Sequence, residues 1–233
     1  MGPTSQGLQG LLIVDKPAGC TSMDVVRVVR RAAGGTKTGH AGTLDPLATG
    51  VLVCCLGRAT KAVEKLMDLT KVYDTTIDLA AFTATDDAEG AREEVEVATP
   101  PTLDEVHSVL AGLTGVIQQR PPAYSAVKIG GKRAYKLARR GEAPVMPPRP
   151  VRIDAIDLVQ YGWPLLHIVV TCGKGTYIRS LARQIGQALH TGVHLTALRR
   201  TAIGPYTIDR ATPLDDLPHP LSQADLLPIP DGR

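Results

Sequence analysis

Apolar positions recur along this chain with two periods that alternate. Short unbroken runs predict buried strands: GLLIVDKPAG from residue 10, halted by Pro17 and Gly19, and VLVCCLG from residue 51. KVYDTTIDLAAFTA, residues 71–84, reads as one further strand entering the acidic turn TDDAEGA. Helical spacing appears between these runs. MDVVRVVRRAAGG turns Val25, Val26, Val28 and Val29 inward after a cap at Thr21 or Ser22, and it stops in glycines. ATKAVEKLMDL places Ala62, Val63, Leu66 and Leu69 on one stripe, and Thr102 with Glu105 has capping-box spacing, with Leu103, Val106, Leu110 and Leu113 recurring at helical period after the cap.

The second half follows the same grammar. Two Pro-rich connections, QQRPPAYSAVK and EAPVMPPRPVR, flank a short basic helix RAYKLARR. VRIDAIDLVQYGWPLLHIVVTCGKG predicts a hairpin turning near Tyr161–Pro164. In TYIRSLARQIGQALH, Ile178, Leu181, Ala182, Ile185, Ala188 and Leu189 form the apolar face, with Arg179 and Arg183 one turn apart on another. A strand with an arginine pair, VHLTALRRTAIGPYTID, precedes an irregular Pro-rich tail. Strands joined by single helices and by hairpins predict an α+β domain with a mixed, largely antiparallel sheet flanked by helices.

Composition narrows this picture. A chain of 233 residues with 43% hydrophobic content suits one large domain, or one with a small appendage. No run nears the roughly 20 apolar residues of a membrane helix, and the opening lacks the basic-then-apolar order of a secretory signal, so a cytoplasmic protein is expected. Cys20 and Cys172 stand apart, Cys54 and Cys55 sit inside an apolar run, and no C-x-x-C pair occurs, which favours buried thiols over disulfides or zinc ligands. His190 and His194 lack a third ligand, and GKGT at 173–176 lacks phosphate-loop spacing, so neither a metal nor a nucleotide is expected.

Charge is segregated. From Arg120 to Arg152 nine Lys or Arg face the single Glu142, whereas Ala84 to Glu105 holds eight acids against Arg92. The basic segment suits a polyanion and a solvated surface equally on charge alone. Aromatic residues are only 3%, too few for sequential base stacking on a long single strand, which favours a folded RNA with one extruded base.

The loop GHAGTLDPLATG, residues 39–50, holds a lone carboxylate. Pro46 biases Asp45 away from helical dihedrals, while Leu44, Leu47 and Val51 anchor the loop. A single acid without a second suits nucleophilic attack at a sugar carbon, yet an Asx-type turn is the commoner use of Asp-Pro. A resemblance decides between them. GHAGTLDPLATGVL is similar to the signature loop of the bacterial tRNA pseudouridine-55 synthases, the TruB family, and further segments resemble that family in order: LLIVDKPAGCTS, KVYDTTIDLA, QRPPAYSAVKIGGKRAYKLARRG, CGKGTYIRSLA and LTALRRTAIGPY. They span about residues 10 to 207.

The resemblance implies a pseudouridine synthase fold and a cofactor-free, metal-free isomerase that flips the T-loop uridine of tRNA. It implies Asp45 as nucleophile, Tyr73 as the tyrosine beside the target base and Arg179 as the arginine paired with the aspartate. His40, Tyr177 and Leu198 match substrate-contacting positions, and Lys128, Lys132, Arg133 and Arg140 lie in the tRNA-contacting basic segment. It leaves open a covalent sugar adduct or a glycal. A tRNA-binding folding chaperone, or a synthase acting on another RNA, is the rival. The chain departs from the family at Ala84, where relatives carry an acid. The expected division is a catalytic domain over residues 1–212 and a Pro-rich tail over 213–233, without the family's usual small C-terminal RNA-binding domain. The expected partner is the T-arm of tRNA, bound by a monomer without a membrane.

Overall fold

The computed structural model describes residues 7–122, 128–129, 132–133, 142 and 146–229. Its elements run β1 (Gly10–Lys16), α1 (Ser22–Ala32), β2 (Thr38–His40), β3 (Thr49–Leu56), a 3-10 turn (Gly57–Ala62) and α2 (Val63–Asp68). There follow β4 (Lys71–Asp78), β5 (Ala81–Asp87), β6 (Arg92–Glu94), α3 (Leu103–Gly112), β7 (Gly115–Gln119), β8 (Lys128–Ile129) and β9 (Lys132–Arg133). The chain continues through β10 (Arg149–Gly162), β11 (Leu165–Cys172), α4 (Ile178–Leu189), β12 (Val193–Ile203), β13 (Tyr206–Thr207), a 3-10 turn (Ile208–Arg210), β14 (Thr212–Pro213) and two further 3-10 turns (Leu214–Asp216 and Gln223–Asp225). Two compact units result, Met1–Tyr73 with Arg199–Arg233 and Asp74–Leu198, and the division falls within β4 and β12.

In the first unit, β1 pairs antiparallel with β3, Leu12 opposite Cys54 and Ile13 opposite Val53. Alternate side chains of a strand leave on opposite faces, so each run feeds two cores. Leu12, Val14, Leu52, Cys54 and Leu56 pack with Val25, Val26 and Val29 of α1. Leu11, Ile13, Val51, Val53 and Cys55 pack instead with Ala59, Leu66 and Ile203. Burial on both faces explains why these strands read as unbroken apolar runs. Helix α1 begins with a reciprocal capping box between Thr21 and Asp24. Val28 departs from its predicted inward position and is 37% exposed, because four valines in five positions exceed the width of one helical stripe. The stretch 59–69 is a 3-10 turn followed by the six-residue α2, shorter than its periodicity predicts.

The Pro-rich tail is more ordered than its composition implies. Its β14 runs parallel to β1, Leu227 exchanges two backbone hydrogen bonds with Leu11, and Leu221 and Leu226 enter the core beside α1.

In the second unit, β10 and β11 form the predicted hairpin, with Gly162 opposite Leu165, and β7 pairs antiparallel with β10. The single strand expected over 71–84 is instead β4 and β5, separated at Leu79–Ala80, where the Asp78 carboxylate accepts from the Ala80 N–H at 2.7 Å. Helix α3 opens on the expected Thr102–Glu105 capping box. Helix α4 buries Ile178, Leu181, Ala182 and Ile185, but also Arg179, Ser180 and Gly186, while Ala188 is exposed. The sheet is mixed: β1–β14, β12–β3 and β12–β5 are parallel, and the remaining registered pairs are antiparallel. The chain is therefore α+β, as its pattern predicts. The basic helix expected over 133–140 does not begin at Arg133, which pairs with Lys128 in the β8–β9 ribbon; residues 134–140 lie outside the described residues. No helix among the described residues is long and apolar enough to cross a membrane.

Candidate active site

The first unit carries His40, Asp45 and Tyr73. Strand β2 delivers His40 opposite Cys54 of β3, and the chain leaves the sheet there and returns at Thr49. The excursion turns at Asp45, whose carbonyl accepts from the Ala48 N–H at 3.1 Å, and Ala41, Leu44 and Ala48 are buried beneath it. Asp45 itself is half-buried, and Tyr73 is buried on β4.

This loop is tied down through its main chain. Ser22, the first residue of α1, donates its hydroxyl to the Leu44 carbonyl at 3.1 Å and accepts from the Leu44 N–H at 2.8 Å. Lys16, fully buried at the end of β1, donates to the carbonyls of Pro17 at 2.8 Å and Pro46 at 3.2 Å, and Gly19 N–H reaches the same Pro46 carbonyl at 2.9 Å. Arg200 of β12 donates to the carbonyls of Gly42, Thr43 and Val51. Residues on both sides of Asp45 are thus held by groups from three other elements. His40 sits near the Arg200 charge; burial, then that charge, hold its imidazole below the usual histidine value of 6.5, against a weaker opposing hydrogen bond at Gly42. The ring is consequently neutral at neutral pH.

The second unit carries Tyr177, Arg179 and Leu198. Tyr177 precedes α4; its N–H donates to Gln119 Oε1 at 2.7 Å and its ring lies 5.4 Å from the Arg149 guanidinium carbon. Arg149 also donates to the Gly175 carbonyl at 2.8 Å, and Ser180 and Gln184 donate to the carbonyls of Arg120 and Gln118. The start of α4 is thereby latched to β7. Arg179, 4% exposed, donates to the Thr85 carbonyl at 3.0 Å and lies 3.6 Å from Asp87 Oδ2. Arg183 makes a two-pronged ion pair with Asp86. Leu198 is buried on β12.

A model of the TruB family pseudouridylate synthase N-terminal domain matches residues 30–178, and one of the tRNA pseudouridylate synthase B C-terminal domain matches residues 179–225. The chain belongs to the TruB family. The tRNA pseudouridine synthase B of Corynebacterium efficiens is 50% identical over 214 residues, covering 89% of this chain and 71% of that protein. Its counterpart from Mycobacterium sp. (strain KMS) is 48% identical over 231 residues, covering 95% and 78%. Among solved structures, a chain of a Cbf5–Nop10–Gar1 complex superposes with a TM-score of 0.70 at 32% identity, covering 89% of this chain and 53% of that one. A chain of an H/ACA RNP bound to a substrate RNA containing 2'-deoxyuridine gives 0.67 at 29% identity, covering 89% and 52%. The TruB-family chain thus spans about half the length of these two structural relatives. Membership makes it an RNA pseudouridine synthase, an isomerase, with tRNA as substrate.

Several residues that hold these candidate positions within each unit escape a reading of the sequence. Asp87 beside Arg179 reads as one acid of an acidic turn; the alternation of β5 buries it, where it also accepts from Thr85 Oγ1 at 2.5 Å and the Glu89 N–H at 3.1 Å. Lys16 at the end of β1 and Arg200 within β12 read as surface cations, and only the register of the two strands turns them inward. Of the basic segment, Lys128, Lys132 and Arg133 are described by their backbone alone, and Arg140 lies outside the described residues. His194 is buried, with Nδ1 3.1 Å from the Ala81 carbonyl. Among the described residues no group of three His, Cys, Asp or Glu is placed to hold a metal.

Proposed function

We propose that this chain isomerises the T-loop uridine of tRNA, position 55, with Asp45 as nucleophile. The observation that carries the reading is the Asp45 loop: a carboxylate on a backbone pinned at residues 42 to 46 by Ser22, Lys16 and Arg200, in a chain of the pseudouridine synthase family. A nucleophile needs such fixity, since its reach to one carbon is set by the main chain that carries it.

In this mechanism the uridine is flipped from its stack into the site, at a cost of a few kcal/mol met by protein contacts. Asp45 attacks C1′ and the N1–C1′ bond breaks, its electron pair leaving on the uracil. The base turns, C5 bonds to C1′ as the aspartate departs, and the C5 proton is lost while N1 gains one. In the glycal variant, Asp45 instead takes the proton from C2′ as the N1–C1′ bond breaks, leaving a C1′=C2′ double bond, and returns that proton to C2′ as C5 bonds to C1′. Arg179 supplies the positive charge that keeps Asp45 ionised, and Tyr73 stacks on the uracil with its phenol near the transferable proton. Neutral His40 packs where the nucleotide is extruded, Tyr177 contacts the substrate and Leu198 closes over the base. The reading implies a monomer in the cytoplasm that grips the T-arm and needs no cofactor.

Mapping pseudouridine in tRNA from cells with and without this protein tests the proposal: loss confined to the T-loop position is expected on deletion. Loss at another RNA redirects the substrate. Wild-type protein that binds tRNA without isomerising any uridine supports a folding chaperone instead.

The basic segment has its own test. Replacing Lys132, Arg133 and Arg140 together by Gln is expected to reduce the slope of log Kd against log salt by roughly 2 to 3, since each neutralised phosphate contributes just under one unit. An unchanged slope removes that segment from the RNA interface.

A further inference from the structure

Arg200 has no part in the chemistry set out so far, yet it is among the largest fully buried side chains, at 1% exposure. Its guanidinium meets only main-chain carbonyls among the described residues: Nε donates to Val51 at 2.8 Å, Nη2 to Gly42 at 3.1 Å and Nη1 to Thr43 at 3.5 Å. Gly42 and Thr43 precede Asp45, whereas Val51 follows it, so one planar fork bridges both limbs of the loop. The backbone of Arg200 meets the loop as well. It pairs in parallel with Gly50, and a Cβ at Gly50 would stand 2.2 Å from the Arg200 carbonyl oxygen. Gly42 adopts φ +110 and Gly50 φ +100, a region that favours glycine, which lets both limbs approach the arginine this closely.

No carboxylate among the described residues forms an ion pair with Arg200. A buried cation without a counter-charge is tolerable only where dipoles solvate it, and here the loop carbonyls are those dipoles. Swinging the loop outward would strand the charge. Loop and cation therefore hold each other, and a lysine, as a point charge without a planar fork, cannot bridge three separated carbonyls equally well.

We propose that Arg200 is a positioning residue for the reaction, fixing the turn that carries Asp45 so that its carboxylate meets the sugar carbon in one geometry. The proposal rests on Asp45 being the nucleophile. Its signature is a loss in the rate of the bound complex with tRNA affinity retained, because Arg200 is buried and faces the protein's own backbone.

The test compares Arg200→Lys and Arg200→Met with wild type in the full chain, measuring single-turnover pseudouridine formation, tRNA Kd and amide hydrogen exchange well below the melting temperature. The expected result is a rate about 10- to 100-fold lower with Kd changed less than about 3-fold, the scale of a misplaced reactive group. Lysine should fall between methionine and arginine, and faster exchange should be confined to residues 42–50. If neither Arg200 variant folds, Gly42→Ala decides, since it strains one of the bridged carbonyls while leaving the cation in place, and the same loss of rate is expected. Folded variants with wild-type rates, or a loss wholly in Kd, overturn the role of Arg200 while the reading of Asp45 stands. A wild-type protein that isomerises nothing overturns both.

Discussion

Asp45→Asn is expected to abolish pseudouridine formation, lowering the single-turnover rate by more than about 10⁴-fold, on the scale seen when a covalent nucleophile is removed from other enzymes. Asparagine keeps the shape of the side chain but offers neither a nucleophilic carboxylate nor a base for the 2′ proton, so both mechanistic variants fail together. The loop should survive the change. Its ties through Ser22, Lys16 and Arg200 engage the main chain at residues 42 to 46 and at 51, which the substitution leaves alone. Affinity for tRNA should therefore stay within a few-fold, as measured by filter binding on the same preparation. Isomerisation at an appreciable fraction of the wild-type rate would remove Asp45 from the chemistry.

The second large effect is on stability. Asp87→Ala should destabilise the protein by about 3–5 kcal/mol, the usual consequence of removing one partner of a buried ion pair. The carboxylate lies 3.6 Å from the Arg179 guanidinium, and the two side chains are 2% and 5% exposed. Its other oxygen accepts from Thr85 and from the Glu89 N–H, which closes the turn after β5. With about 2–4 °C lost per kcal/mol in a chain of this size, the melting temperature should fall by roughly 6–20 °C. Asp87→Asn retains an acceptor for Thr85 or Glu89 but not the charge, so it should lie between alanine and wild type. Denaturant titration of the three proteins checks this, and a loss under about 1 kcal/mol for alanine would show that Arg179 does not depend on Asp87.

The parts of the fold that were legible in the sequence share one property: the cause and the signal are local. Capping boxes at Thr21–Asp24 and Thr102–Glu105 are closed within four residues, so their residue types suffice to locate the helix starts. Strands β1 and β3 are buried on both faces, so their apolar runs hold no ambiguity about which side is wet. Where long-range packing decides, the pattern falls silent. The turn between β4 and β5 has neither Gly nor Pro and depends on the Asp78 side chain, which reads like any other strand-end acid. In the tail, Leu221 and Leu226 are anchors separated by residues with no period, and their burial is set by α1 and β1, almost the whole chain away.

The candidate site divides along the same line. Asp45, Tyr73 and Arg179 are reached through motifs, because a resemblance is a statement about sequence. The groups that hold those motifs in shape are Lys16, Asp87, Gln119 and Arg200, each polar and each no more than 1% exposed. Hydropathy places such residues on the surface. Their inward orientation follows from strand register, which a single sequence does not display.

The cysteines bear on how this protein can be observed. Burial raises the Cys54 thiol and pushes Cys55 up to about 12, and Cys172 is also buried, so all three are shielded from electrophiles in the folded chain. Cys20 is partly accessible and stands next to Gly19, whose amide touches Pro46. A maleimide dye should accordingly attach at one place, and its emission would report on the turn that carries Asp45 as RNA is added.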